Sequence, residues 1–463
     1  MSQAAVALFQ PPVPIAERHA AGVALRSRVP RESHSFWMPA SDRPDPVDII
    51  IASDEGREEN LIPIRHTRMV SSAFAFLRGS AAAMAWDLSR LPTTGVRVQA
   101  CGDCHLMNFG GFATPERNIV FDINDFDETL PAPWEWDVKR LAASVAVAAR
   151  HIGLTDAEAR KAAYATTVSY CDKMGRYAGE HALDVWYDKL RLDDVLKEFD
   201  GDAAHRVRGR IKAMEKKTIE DHYFPKLTEN VGGMLRIKDA PPLIYHHPDQ
   251  QRDGYLQLVA EAFEGYRQSL PDHHALLFDR FRLHDLAVKV VGVGSVGTVC
   301  WVTLFTASES DPLFLQIKQA NRSVLEPYAG GSLYGNHGQR VVAGQRLMQT
   351  ASDIFLGWSL GTLHNRHYYV RQLRDMKISA LVESFDFDTL QTYGRICGWA
   401  LARAHARSGD PVVIAGYVGG GKVFSAAIAK FAMAYADQTE RDHHRMAEGI
   451  RDGRLAGSFE TGV

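Results

Sequence analysis

The sequence predicts an α+β fold with a small antiparallel β-sheet lobe and a larger, mainly helical lobe. A β-branched, apolar stretch within residues 281–375 is interrupted by a cluster of glycines, and helical periodicity dominates before and after it. A β-rich segment between two helical regions indicates two lobes. The expected segments are 1–80, an N-terminal arm with an Arg-rich part; 81–280, the helical lobe; 281–375, the β-rich lobe; and 376–463, C-terminal helices that complete the helical lobe.

Composition narrows the class of protein. With 463 residues and 46% hydrophobic side chains, the chain can bury one large core or two moderate ones. A net charge of −3 argues against a whole-protein nucleic-acid footprint. The 5 cysteines are scattered and odd in number, which favours reduced thiols. No signal peptide or membrane-length apolar run is visible, so we expect a cytoplasmic protein with no membrane or nucleic-acid partner.

The individual elements follow from local patterns. Residues 1–60 are rich in Pro, Arg, Asp and Ser and predict an extended surface arm with one short helix near Ile15–Arg28. The segment 131–153 predicts a helix because Pro lies near its start, acidic residues fill its first turn and apolar residues form one face. Further helices are predicted over Ser80–Leu91, 156–179, Gln339–Ser352, Asp388–Arg407 and Val423–Asp452, and strands over 96–103, 118–125, 298–305, 312–320 and Tyr368–Leu373.

Three arginines precede the most polar loop of the chain. Arg65, Arg68 and Arg78 lie close together in the sequence before a carboxylate-rich stretch. Such side chains bind phosphates or acidic groups, or they pair with structural carboxylates. The sequence leaves both interpretations open.

The polar loop itself spans Cys101–Glu128. Asp103 and Asn108 form a D-x-x-x-x-N pattern, and Asp125 follows a predicted strand. Carboxylate and amide oxygens suit a Mg²⁺ ion that also binds substrate phosphates. The alternatives are a polar loop with Asx turns, or a metallohydrolase cluster that adds His105 and Asp127.

A glycine-rich loop lies much later in the chain. Gly292, Gly294 and Gly297 make a GxGxxG, which is a weak signal alone. The segment after it alternates and is rich in β-branched and aromatic residues, so a strand follows rather than the helix of a dinucleotide fingerprint. A strand–glycine loop–strand hairpin brings backbone amides close to nucleotide phosphates.

Lys318 is the basic residue best placed to accompany that loop. It lies in the apolar segment FLQIKQA, predicted as a third strand beside the hairpin, where its ammonium would reach bound phosphates. A lone lysine in a strand is otherwise a solvated surface residue. The predicted helix over Gln339–Ser352 contains no Glu, which leaves Glu326 as the nearest candidate for its acidic partner.

These motifs resemble the aminoglycoside/choline-phosphotransferase branch of the protein-kinase-like superfamily. That branch carries HGDxHxxN, a strand ending in IDFDD and a W-D-L helix, which are similar to GDCHLMN, DFD and WDV here. The family His is replaced by Cys101. The chain also resembles, over most of its length, domain-of-unknown-function family 2252, through segments such as RMVSSAFAFLRG, GDCHLMNFG and DFDETLPAPWEWDVKRLAAS.

The superfamily resemblance implies roles for individual residues. Asp103 would be the catalytic base, aided by Asn108 and Asp125, with His105 and Asp137 supporting the loop. Asn108 and Asp125 would bind Mg²⁺, with Asp127 as a second metal contact. The strand Tyr368–Leu373 would be the hinge facing adenine. The implied nucleotide-binding residues are Gly292, Gly294, Ser295, Gly297, Lys318, Val370 and Gln372.

The order of the motifs is unusual. In the superfamily the glycine loop and lysine precede the catalytic loop, whereas here they follow it. This order predicts a circular permutation, which is tolerated when the old termini lie close together.

Together these features predict an ATP- and Mg²⁺-dependent phosphotransferase acting on an unidentified hydroxyl-bearing small molecule or protein. The alternatives are AMP transfer on the same fold and a nucleotide-binding regulatory protein without catalysis.

Overall fold

The computed structural model describes residues 11–199, 209, 224–246, 255–290, 292–294, 296–308, 311–359, 366–373 and 378–459. Its α+β composition agrees with the sequence prediction. The helices are α1 Ile15–Arg28, α2 Pro46–Ser53, α3 Ile62–Val70, α4 Ala73–Gly79, α5 Ala81–Ser89, α6 Trp134–His151, α7 Asp156–Ala178, α8 Ala182–Tyr187, α9 Leu192–Lys197, α10 Phe224–Leu227, α11 Tyr255–Ser269, α12 Asp272–Phe278, α13 Glu326–Ala329, α14 His337–Met348, α15 Phe387–Ser408, α16 Pro411–Val418 and α17 Lys422–Arg451. The strands are β1 Arg97–Ala100, β2 Phe109–Ala113, β3 Ile119–Ile123, β4 Leu130–Pro133, β5 Thr228–Val231, β6 Met234–Ile237, β7 Ile244–Tyr245, β8 Arg282–Lys289, β9 Cys300–Thr306, β10 Pro312–Ala320, β11 Gly357–Trp358, β12 His367–Gln372 and β13 Ile378–Ser379.

The largest sheet is antiparallel and has the order β11-β12-β10-β9-β8-β7. Strands β8 and β9 form the hairpin that carries the glycine loop, as the alternating pattern predicts. In β10, Lys318 pairs in register with Cys300 of β9 and with Tyr369 of β12. These pairings on both sides fix the position of Lys318 within the sheet.

Helices α11 and α12 pack on one face of this sheet and share a hydrophobic core with it. Tyr266 of α11 and Phe278 of α12 pack with Phe305 and Leu315 of the sheet. The predicted boundary at residue 280 assigned these helices to the helical lobe, and the structure instead packs them on the β-rich part. Periodicity identifies an apolar helical face but does not say which neighbour covers it.

The main helical core is built around α6, which is buried along almost its whole length. Helices α7, α15 and α17 pack around it. Two short sheets, β1-β4 and β13-β2-β3, lie at the end of this core and carry the polar loop between them. Because these strands are anchored in the helical core, the loop residues have fixed positions.

The N-terminal arm is more helical than predicted. Besides the expected α1, residues 46–79 form α2 to α4, and the predicted helix over Ser80–Leu91 is confirmed as α5. Gly22 of α1 lies close enough to α16 that an added Cβ would be 2.1 Å from the Val413 carbonyl oxygen. Close packing against C-terminal helices stabilises an arm whose own sequence has weak periodicity.

Among the described residues, no helix alone has the length and apolar character needed to cross a membrane. The pair α16 and α17 meets those criteria only jointly, and its members are bent by 84°.

His34 predicts a specific acid sensitivity of the fold. Its side chain is fully buried, and Nε2 lies 2.8 Å from the Tyr417 hydroxyl. Burial lowers the pKa of His34 to about 3. Between pH 6.5 and 3 the unfolded chain binds a proton that the folded chain excludes, so stability falls as pH falls.

The variant His34→Phe keeps a ring in this place and removes the titration. Between pH 7 and pH 4 we expect it to lose about 3 kcal/mol less unfolding free energy than the wild type, measured by urea denaturation at both pH values. The Tyr417 hydroxyl keeps its bond to the Val29 carbonyl at 2.9 Å. Equal pH dependence in both proteins would contradict the assignment.

Candidate active site

Asp137 holds the polar loop from behind. Its carboxylate accepts hydrogen bonds from the backbone N–H groups of Cys101 and Gly102, at 2.6 and 3.0 Å. His405 Nε2 lies 3.2 Å from the same carboxylate, and the other ring nitrogen of His405 lies 2.9 Å from the Tyr170 hydroxyl. Asp137, His405 and Tyr170 are buried, so the start of the loop is fixed by a network inside the helical core.

Asp103 projects from this loop and is oriented by three neighbours. Arg140 Nε donates to Asp103 Oδ1 at 2.7 Å, and the Asn108 side-chain amide donates to the Asp103 backbone carbonyl at 2.7 Å. His105 Nε2 lies 3.7 Å from Asp103 Oδ2. Burial lowers the pKa of His105 to about 3, so its ring is neutral at pH 7. Arg140 is therefore the charged neighbour that fixes the carboxylate.

Asp125 and Asp127 follow β3 and meet Lys318. The Lys318 ammonium lies 2.7 Å from Asp127 Oδ2 and 3.8 Å from Asp125 Oδ1. The Tyr369 hydroxyl donates to Asp127 Oδ1 at 2.6 Å. Burial favours the neutral amine, but the two carboxylates outweigh it and raise the pKa of Lys318 well above its ordinary value. The lysine predicted from the sheet and the acids predicted from the loop thus form one cluster.

Glu326 makes its contacts elsewhere. It opens α13 and accepts from the Ser323 backbone N–H at 3.2 Å and from Arg322 Nε at 3.0 Å. The prediction that Glu326 is the acidic partner of Lys318 is wrong, because Glu326 caps its own short helix while Asp127 reaches the lysine.

The glycine loop connects β8 and β9 above this cluster. Gly292 and Gly297 have φ of +73° and +86°, a backbone region that side chains other than glycine rarely adopt. An added Cβ at Gly294 would lie 3.1 Å from the Arg78 carbonyl oxygen. Ser295 lies outside the described residues.

The N-terminal segment holds the glycine loop through main-chain contacts. Arg68 Nη1 donates to the Gly292 carbonyl at 2.7 Å, and Arg57 Nη1 donates to the Val296 carbonyl at 2.5 Å. The loop therefore rests against α2, α3 and the turn between them.

Arg65 is used within this same segment. Its guanidinium donates to Asp54 Oδ1 at 2.6 Å and to the Gly79 carbonyl at 3.0 Å. Asp54 also lies 2.9 Å from His66 Nε2. For Arg65, pairing with a structural carboxylate is the correct interpretation.

A cleft of about 440 Å³ lies between the sheet and the polar loop. The sheet side contributes polar and cationic side chains, and the loop side contributes Asp125. The lining residues used below are Lys289, Gly292, Gln316, Lys318, Arg371 and Asp125. Arg371 Nε donates to Gln316 Oε1 at 3.0 Å, which orients both side chains along the cleft wall.

The predicted hinge strand contributes unequally to this cleft. Gln372 lines it, and its backbone N–H donates to Asp353. Val370 is paired with Ile317 on one side and Gly357 on the other, and its side chain is buried in the core beneath the sheet. Val370 does not line the cleft because its side chain lies on the face of the sheet that packs against Tyr266 and Phe278 of α11 and α12. Residues 374–377 lie outside the described part of the chain.

The predicted metal residues share one cavity. Asn108, Asp125 and Asp127 line it together, and their side chains offer oxygen donors, which Mg²⁺ prefers. Within the described ranges, no group of three or more His, Cys, Asp or Glu side chains is arranged to hold a metal ion. The metallohydrolase cluster considered from the sequence is therefore not formed there, and any Mg²⁺ site would rely on Asn108 and on phosphate oxygens.

Comparison with protein families gives one match. A family model described as "Uncharacterized protein conserved in bacteria (DUF2252)" matches residues 57–448. The chain belongs to the DUF2252 family. Comparison with curated proteins and with solved structures finds no match. The DUF2252 match includes both the polar loop and the glycine hairpin, so the whole candidate site lies inside the family region.

Sequence reasoning missed several side chains of this DUF2252 site. Arg140, Tyr369 and Arg371 received no role, although each contacts a predicted residue or lines the cleft. A signal was present for Arg140, since a charged residue on the apolar face of a helix needs a partner. Tyr369 and Arg371 alternate with buried residues along β12, and only the sheet order shows what they face.

Gly102 provides a test of the loop geometry. Its φ is +85°, and an added Cβ would lie 2.3 Å from the Glu128 carbonyl oxygen, a backbone atom. Gly153 has a similar φ of +81° with nothing within 4 Å of an added Cβ. We expect Gly153→Ala to cost about 1 kcal/mol of unfolding free energy and Gly102→Ala at least about 3 kcal/mol, by chemical denaturation. Equal costs would show that the loop relaxes around the clash.

Proposed function

We propose that this DUF2252 protein is an ATP- and Mg²⁺-dependent phosphotransferase that acts on a hydroxyl group. The observation that carries the proposal is the meeting of Lys318 with Asp125 and Asp127, at 3.8 and 2.7 Å. A lysine beside a glycine hairpin and carboxylates after a D-x-x-x-x-N loop supply the charges that phosphoryl transfer needs.

The cleft beneath the glycine hairpin suits a nucleotide. Its volume of about 440 Å³ falls in the range of small-molecule sites. Lys289, Lys318 and Arg371 give its sheet wall a positive charge, and Gly292 lies at its rim. We assign the phosphates to the Lys318 end, because Asp125 lines the cleft there.

Asn108, Asp125 and Asp127 are the residues that would hold Mg²⁺. Mg²⁺, when bound, neutralises charge on the phosphate oxygens. Lys318 lies between the two carboxylates, and its long flexible stem allows the ammonium to move from them to a phosphate.

Asp103 is the proposed base. The acceptor oxygen forms a bond to the γ-phosphorus of ATP while the bond from phosphorus to the bridging oxygen breaks, so ADP leaves. The hydroxyl proton goes to Asp103. Arg140 holds Asp103 Oδ1, at 2.7 Å, which directs the other carboxylate oxygen to the acceptor. Positioning and charge neutralisation would give most of the rate.

The strand order supports a two-lobed kinase-like fold with permuted connectivity. A glycine hairpin, a lysine strand, two helices and two further strands follow one another from β8 to β12. Helix α15 packs on β1, and His405 in its last turn lies beside Asp137. The end of this late helix is therefore close in space to the start of the polar loop. This proximity of chain segments is what a circular permutation requires.

One observation favours a nucleotide-binding regulatory protein as the second candidate. Lys318 is paired with the carboxylates of the proposed metal site rather than with a separate glutamate. A protein fixed in this arrangement would bind nucleotide without turnover. AMP transfer on the same fold would release pyrophosphate instead of ADP.

The buried free thiols of all five cysteines support a reducing compartment, and we propose a cytoplasmic location. The proposed partners are a nucleotide and a small-molecule or protein acceptor.

Thermal shift with ATP, with and without Mg²⁺, tests the proposal on the full chain. A ligand at about 100 times its Kd adds about 2.7 kcal/mol of stability, so a clear rise in Tm is expected. Lys318→Met should reduce the ATP-dependent rise, while Lys430→Met, at an exposed position of α17, should keep it. No rise in the wild type, or an equal rise in Lys318→Met, would count against nucleotide binding here. Assays for ADP and pyrophosphate then separate the three candidates.

A further inference from the structure

The smaller cavity that Asn108, Asp125 and Asp127 line lies beside the nucleotide cleft and also has a cationic wall. Its volume is about 100 Å³. One wall is the polar loop with Asp103, and the opposite wall is the N-terminal segment from Ser53 to Ala82. We call this space the inner cavity.

Arg78 is the least satisfied cation of this wall. Its Nε is buried and has no hydrogen-bond partner among the described residues. The guanidinium lies 5.8 Å from the centre of the Phe74 ring, and burial lowers its pKa. Asp103 and Glu383 influence it through charge. The residue is half-buried, and its unpaired Nε would gain from an anion that approaches the guanidinium.

Arg57 supplies a second set of donors to the inner cavity. Nε bonds to the Ser53 carbonyl at 2.9 Å and Nη1 to the Val296 carbonyl at 2.5 Å. Nη2 makes no hydrogen bond within the described part of the chain. Both carbonyls are neutral, so they satisfy donors without cancelling the positive charge, and Asp54 is 3.9 Å away.

The other two arginines near the inner cavity serve the fold. Arg65 is bonded to Asp54 and the Gly79 carbonyl, and Arg140 is bonded to Asp103 and the Leu77 carbonyl. Their charges are therefore already balanced by carboxylates of the protein. Of the three arginines that line the inner cavity, Arg57 and Arg78 have no hydrogen bond to a carboxylate within the described residues, whereas Arg65 does.

The position of the inner cavity identifies which ligand it would hold. Asp103 lines the inner cavity and Lys318 lines the cleft, whereas Arg78 and Asp125 line both. The boundary between the two spaces is therefore where a phosphoryl group would pass. A ligand in the inner cavity lies on the side of the proposed base, which is the acceptor side.

We propose that Arg57 and Arg78 bind an anionic group, phosphate or carboxylate, of the acceptor molecule. The inference rests on the proposed phosphotransferase function and names its substrate class: a small hydroxyl compound that already carries a negative charge. Arg57 and Arg78 would attract an anionic group to their wall of the cavity, while the carboxylates of Asp103, Asp125 and Asp127 lie in the same lining.

Inorganic phosphate is the first probe. Its binding to the full chain is measured by calorimetry in the presence of saturating ADP and Mg²⁺. We expect Arg78→Gln and Arg57→Gln to weaken phosphate binding by about tenfold or more, because each removes hydrogen bonds to a charged ligand. Arg322→Gln is the matched control, since its side chain is 64% exposed and pairs locally with Glu326.

Matched acceptors give the second probe. Glycerol and glycerol 3-phosphate, and glucose and glucose 6-phosphate, are compared by ADP release. Phosphorylated members should be preferred, and Arg78→Gln should raise the KM of the acceptor by about tenfold, which is more than it raises the KM of ATP.

The outcomes separate this inference from the proposed function. Phosphate that fails to bind, binds equally in the arginine variants or displaces ATP would overturn the acceptor site. If ATP binds and ADP forms in those cases, the phosphotransferase proposal still stands. If ATP does not bind while phosphate binds through Arg57 and Arg78, the anion site stands and the phosphotransferase proposal fails.

Discussion

Replacing Asp103 by Asn is expected to lower the rate of phosphate transfer by about 10²- to 10⁴-fold, the usual contribution of a positioned general base. The carboxylate lies in the inner cavity and is held through Oδ1 by Arg140, at 2.7 Å. An asparagine oxygen can keep that bond, so the loop should keep its shape. What is lost is the ability to accept the proton of the acceptor hydroxyl.

The measurement is kcat and KM for ATP in wild type and Asp103→Asn, with phosphate release to water as the reaction if no acceptor is known. We expect kcat to fall while the KM of ATP changes little, because Lys318 and the cleft are untouched. Asp156→Asn, at an exposed site that pairs with Arg150, controls for loss of a surface carboxylate. A variant as fast as wild type would remove Asp103 from the base role.

The second large effect concerns the fold. Asp122→Ala is expected to cost about 3–5 kcal/mol of unfolding free energy, because it leaves the Arg403 guanidinium buried without its counter-charge. Arg403 Nη2 lies 2.6 and 2.7 Å from the two Asp122 oxygens, and both side chains are fully buried. Thr350 also donates to Asp122 from its backbone N–H and its hydroxyl, each at 3.0 Å.

A double-mutant cycle makes this test specific. Arg403→Met alone leaves the carboxylate bonded to Thr350, and the combination with Asp122→Ala removes both charges. We expect the double variant to be more stable than the sum of the single costs predicts, in urea denaturation. A strictly additive result would show that the two charges do not depend on each other.

Local chemistry was sufficient for the parts of the site that lie within one element. The β-branched residues after Gly297 identified a hairpin instead of a dinucleotide fold, and the strand containing Lys318 was found with its ends at Pro312 and Ala320. The acids and proline at the start of α6 identified the helix that presents Asp137. These features depend on turn geometry and side-chain alternation over a few residues.

Contacts between distant segments were not predictable in the same way. Lys318 contacts Asp127, which is 191 residues away in the sequence. Proximity in the sequence predicts Glu326 as its partner, but Glu326 pairs with Arg322. The positions of Arg57 and Arg78 at the cavity depend on the packing of the N-terminal segment against the glycine loop, which local sequence does not reveal. A charge pattern indicates that a residue needs a partner, but the fold decides which partner is within reach.

The ion pair between Asp54 and Arg65 indicates which residues a shortened form of this protein must retain. The family match begins at Arg57, three positions beyond Asp54. A chain trimmed to the matched residues would lose the carboxylate that neutralises Arg65, whose exposed fraction is 1%, and that also bonds His66. Residues before the matched region therefore make contacts that support the structure of the matched region. Shortened forms of this protein should keep α2 and the turn that carries Asp54, or the wall of the inner cavity will lack its support.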